Sequence, residues 1–401
     1  MHDQYFTSTL VSNLLVEQFT IPVANDVLEL GSGAGSLLAA VRRRWSSARL
    51  TSVDIDERLR ETTTPLRPHR HVVSDVLSPG FPKPLHISPS SFDAAVCNPP
   101  YRNTAWNPGF RRLLKDAGLA NSSHRKQDIA ADLIFLAHNL RFLKAGGQLA
   151  IIVPDGTITG AKNRALRESL LGAHRIHSVI ELPERSFSGT EAKTFILTLE
   201  KSSHSHRHIP LYRADHYGQL SEPILIDSAA AAIRMDYRYF SWLENSQSEN
   251  RKSLDSIGCV QLFRGQISAT TARHQDFRIL HSTDMSRRTA LGRIHIPPAW
   301  APSTEDLLQP HARPGDIIVT RVGRKLSDKI ARVASGIALI SDCLYVIRGP
   351  RRITDRIWME LTSSYGKEWL NAHSRGVCAK VLNKSDLLAF PLPADIDLCQ
   401  N

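Results

Sequence analysis

Long apolar runs, cysteine and acidic residues are all in short supply in this chain of 401 residues. No stretch approaches the roughly 20 apolar residues that a membrane-spanning helix needs, and the opening "MHDQYFTSTL" does not read as a secretory leader. The five cysteines, at 97, 259, 343, 378 and 399, contain no C-x-x-C pair. That scarcity argues for reduced thiols in a cytosol and against a disulfide framework or a structural zinc. Internal repeats and low-complexity tracts are missing as well. So are H-E-x-x-H, G-x-S-x-G and G-x-x-x-x-G-K-[ST], which removes the motif basis for metalloprotease, serine-hydrolase and P-loop chemistry. Acids number 39 against 50 Lys and Arg, a formal charge of +11 that suits a polyanionic partner without requiring one.

What is present is the composition of a globular protein, 42% hydrophobic and 22% charged, at a length that predicts two domains. "DVLELGSGAGSLLAAVRRRW" reads as buried strand, glycine turn and helix. "ARLTSVDID", "HRHVVSDVL" and "SFDAAVCNPPY" each end an apolar or β-branched run on a polar tip, at Asp54, Asp75 and Asn98. That repeat predicts a doubly wound parallel sheet. Residues 128–143, apolar at 129, 133, 136, 137, 140 and 143, predict a helix closed by Gly146 and Gly147. A helix over 161–173 and strands at "QLAIIVP", "HSVIEL" and "TFILTLE" bring the expected count to seven. The expected organisation is therefore an α/β domain over 1–200 with a seven-stranded Rossmann-like sheet. A connector over 201–255 and an α+β domain over 256–401 follow.

The chemistry concentrates at the strand tips. Gly31, Gly33 and Gly35 let a backbone pass close under a ligand, although G-x-G-x-G is only part of a dinucleotide fingerprint. Asp54 is placed to accept from both ribose hydroxyls, and Asp75 from an adenine amino group. Each acid read alone fits a helix N-cap equally well. Glu29 faces either a ligand's amino group or a paired buried cation. In "NPPY", residues 98–101, the Asn98 side-chain oxygen and the Pro99 carbonyl form two acceptors for one amine, with proline fixing the backbone and Tyr101 offering a face for a base. Two such acceptors favour a pyramidal nitrogen whose lone pair points at an electrophile.

In this order, "LELGSGAG", "SVDID", "SDVL" and "NPPY" resemble the motifs of S-adenosylmethionine-dependent adenine-N6 DNA methyltransferases in the gamma arrangement. The resemblance implies a catalytic methyltransferase domain followed by a target-recognition domain. It implies S-adenosyl-L-methionine as cofactor, S-adenosyl-L-homocysteine as product, and no metal. Cofactor contacts are implied for Thr7, Glu29, Gly31, Gly33, Gly35, Asp54, Ile55, Asp75 and Asn98. "YFTS" is similar to the N-terminal F-x-T-P motif, with Ser8 where proline is usual, which weakens the carry-over to Phe6 and Thr7. "LPERSFSGTEAKTFILTLEK" is similar to a segment of type I modification subunits, and implies that Phe187 joins Asn98, Pro99 and Tyr101 around a flipped base. Ordinary core packing is the alternative for Phe187. "EAK" at 191–193 lacks a convincing partner acid for a nuclease.

Double-stranded DNA is the expected partner, with a companion restriction endonuclease as a further candidate, no membrane, and a monomer or homodimer in a prokaryotic cytoplasm. Arg102, Arg111, Arg112, Lys115, Arg125 and Lys126 form a basic segment suited to phosphates, or a solvated surface. "RRR" at 42–44 and "HSHRH" at 204–208 read as solvated. "LFRGQIS", "RPGDIIVTRVGRKLSDKIARV", "ISDCLYVIRG" and "LNKSDLLAFPLP" resemble a recognition domain of type I specificity subunits, which makes Arg264, Arg321, Arg324, Lys325 and Lys329 candidate DNA contacts. Two rival readings stand beside this one. NPPY enzymes also methylate RNA or a protein glutamine, and the chain could be a modification subunit that needs a separate specificity partner.

Overall fold

The computed structural model describes residues 7–57, 68–120, 127–187, 193–201, 208–246, 250–268, 270–271, 278–290, 292–376 and 379–394. Of the residues singled out above, Phe6, Arg125 and Lys126 lie outside these, as do most of "EAK" and of the histidine-rich stretch. The chain divides into two compact units, Met1–Tyr237 and Arg238–Asn401. No described helix is long and apolar enough to cross a membrane.

The first unit is a mixed α/β fold. It contains strands β1 (Asp26–Leu30), β2 (Arg49–Asp54), β3 (His69–Val73), β4 (Phe92–Cys97), β5 (Asn103–Ala105), β6 (Asp128–Ala130), β7 (Leu143–Pro154), β8 (His174–Glu181), β9 (Thr194–Lys201), β10 (His208–Arg213) and β11 (Ile224–Asp227). Nine of them form one sheet in the order β11-β10-β8-β9-β7-β4-β1-β2-β3, while β5 and β6 pair separately. The expected count of seven is therefore corrected to nine. The two added strands come from the stretch taken for a connector, where β10 pairs parallel with β8 and β11 antiparallel with β10.

Strands β1, β2 and β4 are almost wholly buried, as continuous apolar runs in a parallel sheet should be. Helices α1 (Thr9–Glu17) and α2 (Ser36–Arg44) pack with the apolar cluster that contains Val27, Leu50 and Val96 of the sheet. From β1 the chain moves outward to β2 and β3, then returns to β4 on the other side of β1. The carboxyl ends of β1 and β4 thus flank a topological switch point, where open α/β sheets leave a crevice. Helix α3 (Pro108–Asp116) is capped by Asn107, whose side chain accepts from the Gly109 amide. Helix α4 (Ala131–Phe142) starts later than its apolar stripe suggested, because residues 128–130 are taken by β6. Of its twelve residues only Arg141 is not buried.

The second unit contains a six-stranded sheet, two of whose inner strands are Ile317–Thr320 and Leu344–Arg348. The period-two alternation of these strands divides them between two cores. Ile317, Val319, Tyr345 and Ile347 pack with Ile353, Ile357 and Trp369 of the helices Arg351–Thr362 and Ser364–His373. Ile318, Leu344 and Val346 face the opposite cluster with Met285, Ala331 and Val333. Among the described residues Cys97 and Cys343 carry free thiols.

Candidate active site

The residues expected at the strand tips of the first unit converge on one cavity of about 280 Å³. Its wall includes Thr7, Glu29, Gly31, Gly33, Asp54, Ile55, Asp75, Asn98, Pro99 and Tyr101. Gly35 caps α2 behind that wall, in the left-handed region at φ +79°. The turn is glycine-dependent at Gly31 and Gly33 too, with φ of +75° and +47°. A Cβ at Gly31 would stand 3.2 Å from the Phe135 ring, whereas at Gly33 it would meet nothing within 4 Å. The backbone is thus pressed against α4 at one glycine and open at the other.

Asp54, the last residue of β2, is buried. Its Oδ2 accepts the Gly33 amide at 2.8 Å and its Oδ1 accepts the Asp56 amide at 2.9 Å. Each carboxylate oxygen can accept twice, so one acceptor site per oxygen remains for a diol. Asp75 stands two residues beyond β3 and is fixed by the Leu77 amide on Oδ1 at 2.9 Å. Ile55, 45% exposed, gives the cavity an apolar edge suited to a flat ring.

Glu29 is only 1% exposed, and its Oε2 meets no hydrogen-bond partner among the described residues. Burial, and next the charge of Asp54, hold its carboxyl well above the usual carboxylate range, offset in part by the Leu38 amide.

At the end of β4, the Asn98 amide is held by two neighbours. Its Nδ2 donates to Thr7 Oγ1 at 3.0 Å, and the Tyr101 hydroxyl donates to its Oδ1 at 3.2 Å. Burial, followed by the charges of Asp132 and Cys97, pushes the Tyr101 phenol well up, so it stays protonated and remains a donor. These two bonds hold the Asn98 carboxamide at the cavity wall.

Two residues that the sequence reading passed over belong here, Phe135 in the cavity wall and Asp132 beside Tyr101. Asp132 is buried and accepts from Thr157 Oγ1 at 3.3 Å. Both sit in the apolar α4 and read as core. Phe187 does the reverse. It is 3% exposed, packs in the apolar cluster against which Tyr101 also rests, and is not part of the cavity wall. Its surroundings are those of core packing.

The basic residues divide by unit. Arg102 is exposed and lines the cavity, Arg111 and Lys115 are exposed on α3, and Arg112 pairs with Asp116 at 3.8 Å on the same helix. In the second unit Arg321 Nη1 donates to the Asp342 carbonyl at 3.1 Å, and Arg264 approaches the Asp342 carboxylate at 3.9 Å. Arg324 and Lys325 are exposed, Lys325 at φ +50°, and Lys329 is half-buried. Among the described residues no cluster of histidine, cysteine and acids is arranged to hold a metal.

Residues 69–224 match the N-6 DNA Methylase family model. The chain is 25% identical over 226 residues to the type II methyltransferase M.BsuBI of Bacillus subtilis, covering 50% of this chain and 44% of that protein. It is 30% identical over 114 residues to the methylase subunit of the type I restriction enzyme MpnII of Mycoplasma pneumoniae, covering 28% and 21%. The matched segments thus span less than half the length of either relative. A solved methyltransferase subunit of a type I restriction-modification system from Streptococcus thermophilus aligns with 21% identity and a TM-score of 0.45, over 57% of this chain and 52% of that one. Over residues 69–224 the chain thus resembles the N-6 DNA methylases, and it is similar to a type II methyltransferase and to the methylase subunit of a type I restriction enzyme.

Proposed function

We propose that the chain transfers a methyl group from S-adenosyl-L-methionine to the N6 amino group of an adenine in DNA. The observation that carries this reading is the meeting of two polar groups of residues on one cavity, the Thr7–Asn98–Tyr101 cluster and the Glu29–Gly33–Asp54–Asp75 wall.

The second set fits the cofactor. Glu29, with its unpartnered buried oxygen, suits the methionine ammonium; Asp54 has acceptor capacity left for a ribose diol; Ile55 and Asp75 suit the adenine. The open space beside Gly33 leaves room where a side chain would intrude. Bound there, the cofactor supplies an electrophilic methyl on a positively charged sulfur. No metal is needed for that chemistry.

The first set fits the acceptor. Asn98 Oδ1 and the Pro99 carbonyl accept the two N–H bonds of the amine and turn its lone pair toward the methyl. Tyr101 contributes its ring face for stacking, worth about 1–3 kcal/mol per base. These groups act by orientation and preset acceptors, not by covalent bonding. An adenine inside a duplex must leave the stack to reach them. In this reading residues 1–237 catalyse, residues 238–401 select the target, and Arg102, Arg111 and Lys115 meet phosphates.

The test is methyl transfer by the purified chain from labelled cofactor to mixed DNA, RNA and protein acceptors. Label should appear in DNA as N6-methyladenine. Asn98→Ala should remove it while leaving affinity for S-adenosylhomocysteine within about threefold, since the lost groups face the acceptor. Label confined to RNA or protein would overturn the reading.

A further inference from the structure

The second unit has a groove of about 530 Å³ whose lining differs from that of the catalytic cavity. Phe263, Arg264, Gln266, Asp342 and Lys384 contribute to it, bringing two cations, one acid and one amide to the same opening. Arg264 and Gln266 are both exposed.

The backbone that presents them is pinned. Arg264 ends the strand Gln261–Arg264 opposite Tyr345. The Gly265 amide donates to the Leu344 carbonyl at 3.2 Å, and the Asp342 amide donates to the Ile267 carbonyl at 2.9 Å. Ile267 also bridges Ser341. Between the two side chains, a Cβ at Gly265 would stand 2.0 Å from the Ser341 carbonyl oxygen and 2.4 Å from that of Ile340. Only glycine permits the two backbones to approach so closely. The sequence Arg-Gly-Gln thus places two recognition side chains on one groove and joins them by a residue fixed to the neighbouring chain segment.

Asp342 steadies the arginine. Arg264 Nε donates to the Asp342 carbonyl at 3.4 Å and Nη2 lies 3.9 Å from its carboxylate. These contacts involve Nε and Nη2, and Arg264 also lines the groove. The groove chemistry is not that of phosphate binding alone. A glutamine amide can reach either a phosphate or a base edge, but an acid repels phosphate. Base edges in the major groove suit this set, since arginine pairs bidentately with guanine O6 and N7 and glutamine with adenine N6 and N7. Residues two apart on an extended chain lie about 6.6 Å apart, close to two base steps of about 3.4 Å each.

We propose that this groove reads base edges, with Arg264 selecting a guanine and Gln266 an adenine no more than about two steps away. The inference rests on the DNA-methylating function proposed above. Its test is to sequence, by a modification-sensitive method, DNA methylated by the wild type, Arg264→Ala and Gln266→Ala. The wild type should modify a motif containing G and A at that spacing. Arg264→Ala should relax the guanine position and Gln266→Ala the adenine position, each by at least tenfold in preference, with the other positions kept. An unchanged motif in both variants, even at a reduced rate, would reduce the groove to a backbone contact and overturn the proposal. Failure of the wild type to methylate any DNA would bring down the functional reading itself, a result distinct from the first.

Discussion

Gly33 donates its backbone N–H to the Asp54 carboxylate at 2.8 Å, joining the glycine turn after β1 to the tip of β2. The acid therefore has two tasks, shaping the turn and offering the acceptor sites that remain. Asp54→Ala removes both and leaves the Gly33 and Asp56 amides without their acceptor. Affinity for S-adenosylhomocysteine should fall by at least tenfold, about 1.4 kcal/mol. Asp54→Asn, which can hold one of the amides, should fall between alanine and wild type. Calorimetric titration gives the order, and an alanine variant that binds as the wild type does would remove Asp54 from the site.

Glu29 predicts a pH dependence of known sign. Its carboxyl is held well above the usual range by burial first and the Asp54 charge second. A cationic ligand prefers the ionised form, so binding should release a proton and tighten as pH rises through the free-state pKa. Because the folded value lies above the unfolded one, the stability linked to this group is complete below the unfolded pKa and is lost as pH rises through the folded one. Glu29→Gln should therefore flatten the affinity profile and raise the melting temperature near pH 8. Calorimetry in buffers of different ionisation enthalpy checks the first effect and thermal unfolding the second. Matching pH profiles for variant and wild type would contradict both.

Tyr101 joins a ring face to a hydroxyl that holds Asn98, and the two contributions separate by substitution. Tyr101→Phe keeps the ring and drops a hydrogen bond worth about 0.5–1.5 kcal/mol. It should lower kcat by up to roughly tenfold with little change in KM for DNA. Tyr101→Ala loses the face as well and should raise KM too. Steady-state kinetics on one duplex decides; a phenylalanine variant with wild-type kcat would show that the hydroxyl orients nothing.

The legible part of this protein lay where a polar residue ends an apolar run. Asp54 and Asn98 stand out for that reason, since a parallel sheet buried on both faces leaves its strand tips as the place for polar chemistry. The amphipathic edge was less legible. Strand β11 alternates buried and exposed residues, and β10 includes His208, Pro210 and Arg213, so their stretch looked like a connector. Phe135 and Asp132 were hidden by the opposite effect, since the apolar stripe marks one face of a helix that is in fact buried nearly all round. Phe187 was ambiguous because an aromatic beside a polar loop has the same one-dimensional pattern whether it faces a ligand or the interior. Which way a side chain turns depends on packing partners far away in the chain.

The last prediction concerns the buried charges that join β7, β8 and β9. Lys193 Nζ lies 3.2 Å from Glu181, 3.8 Å from Asp236 and 3.9 Å from Asp155, and all three acids are at most 2% exposed. Arg234 holds Asp236 from the other side through two bonds of 2.6 and 2.9 Å. Burial pushes the Asp236 carboxyl up, but Arg234 and then Lys193 outweigh it and hold it below its ordinary value. Lys193→Met deletes the cation shared by three buried acids, and removing one partner of a buried ion pair costs about 3–5 kcal/mol. Since the folded Asp236 pKa is depressed, its stabilisation is present above the unfolded pKa and is lost as pH falls through the folded value. The variant's deficit should accordingly be complete above the ordinary aspartate value of about 3.9 and shrink as pH falls below it. Denaturant unfolding at pH 7 and pH 3 measures both numbers. Equal deficits at the two pH values would mean that Lys193 acts through the packing of its aliphatic stem and not through its charge.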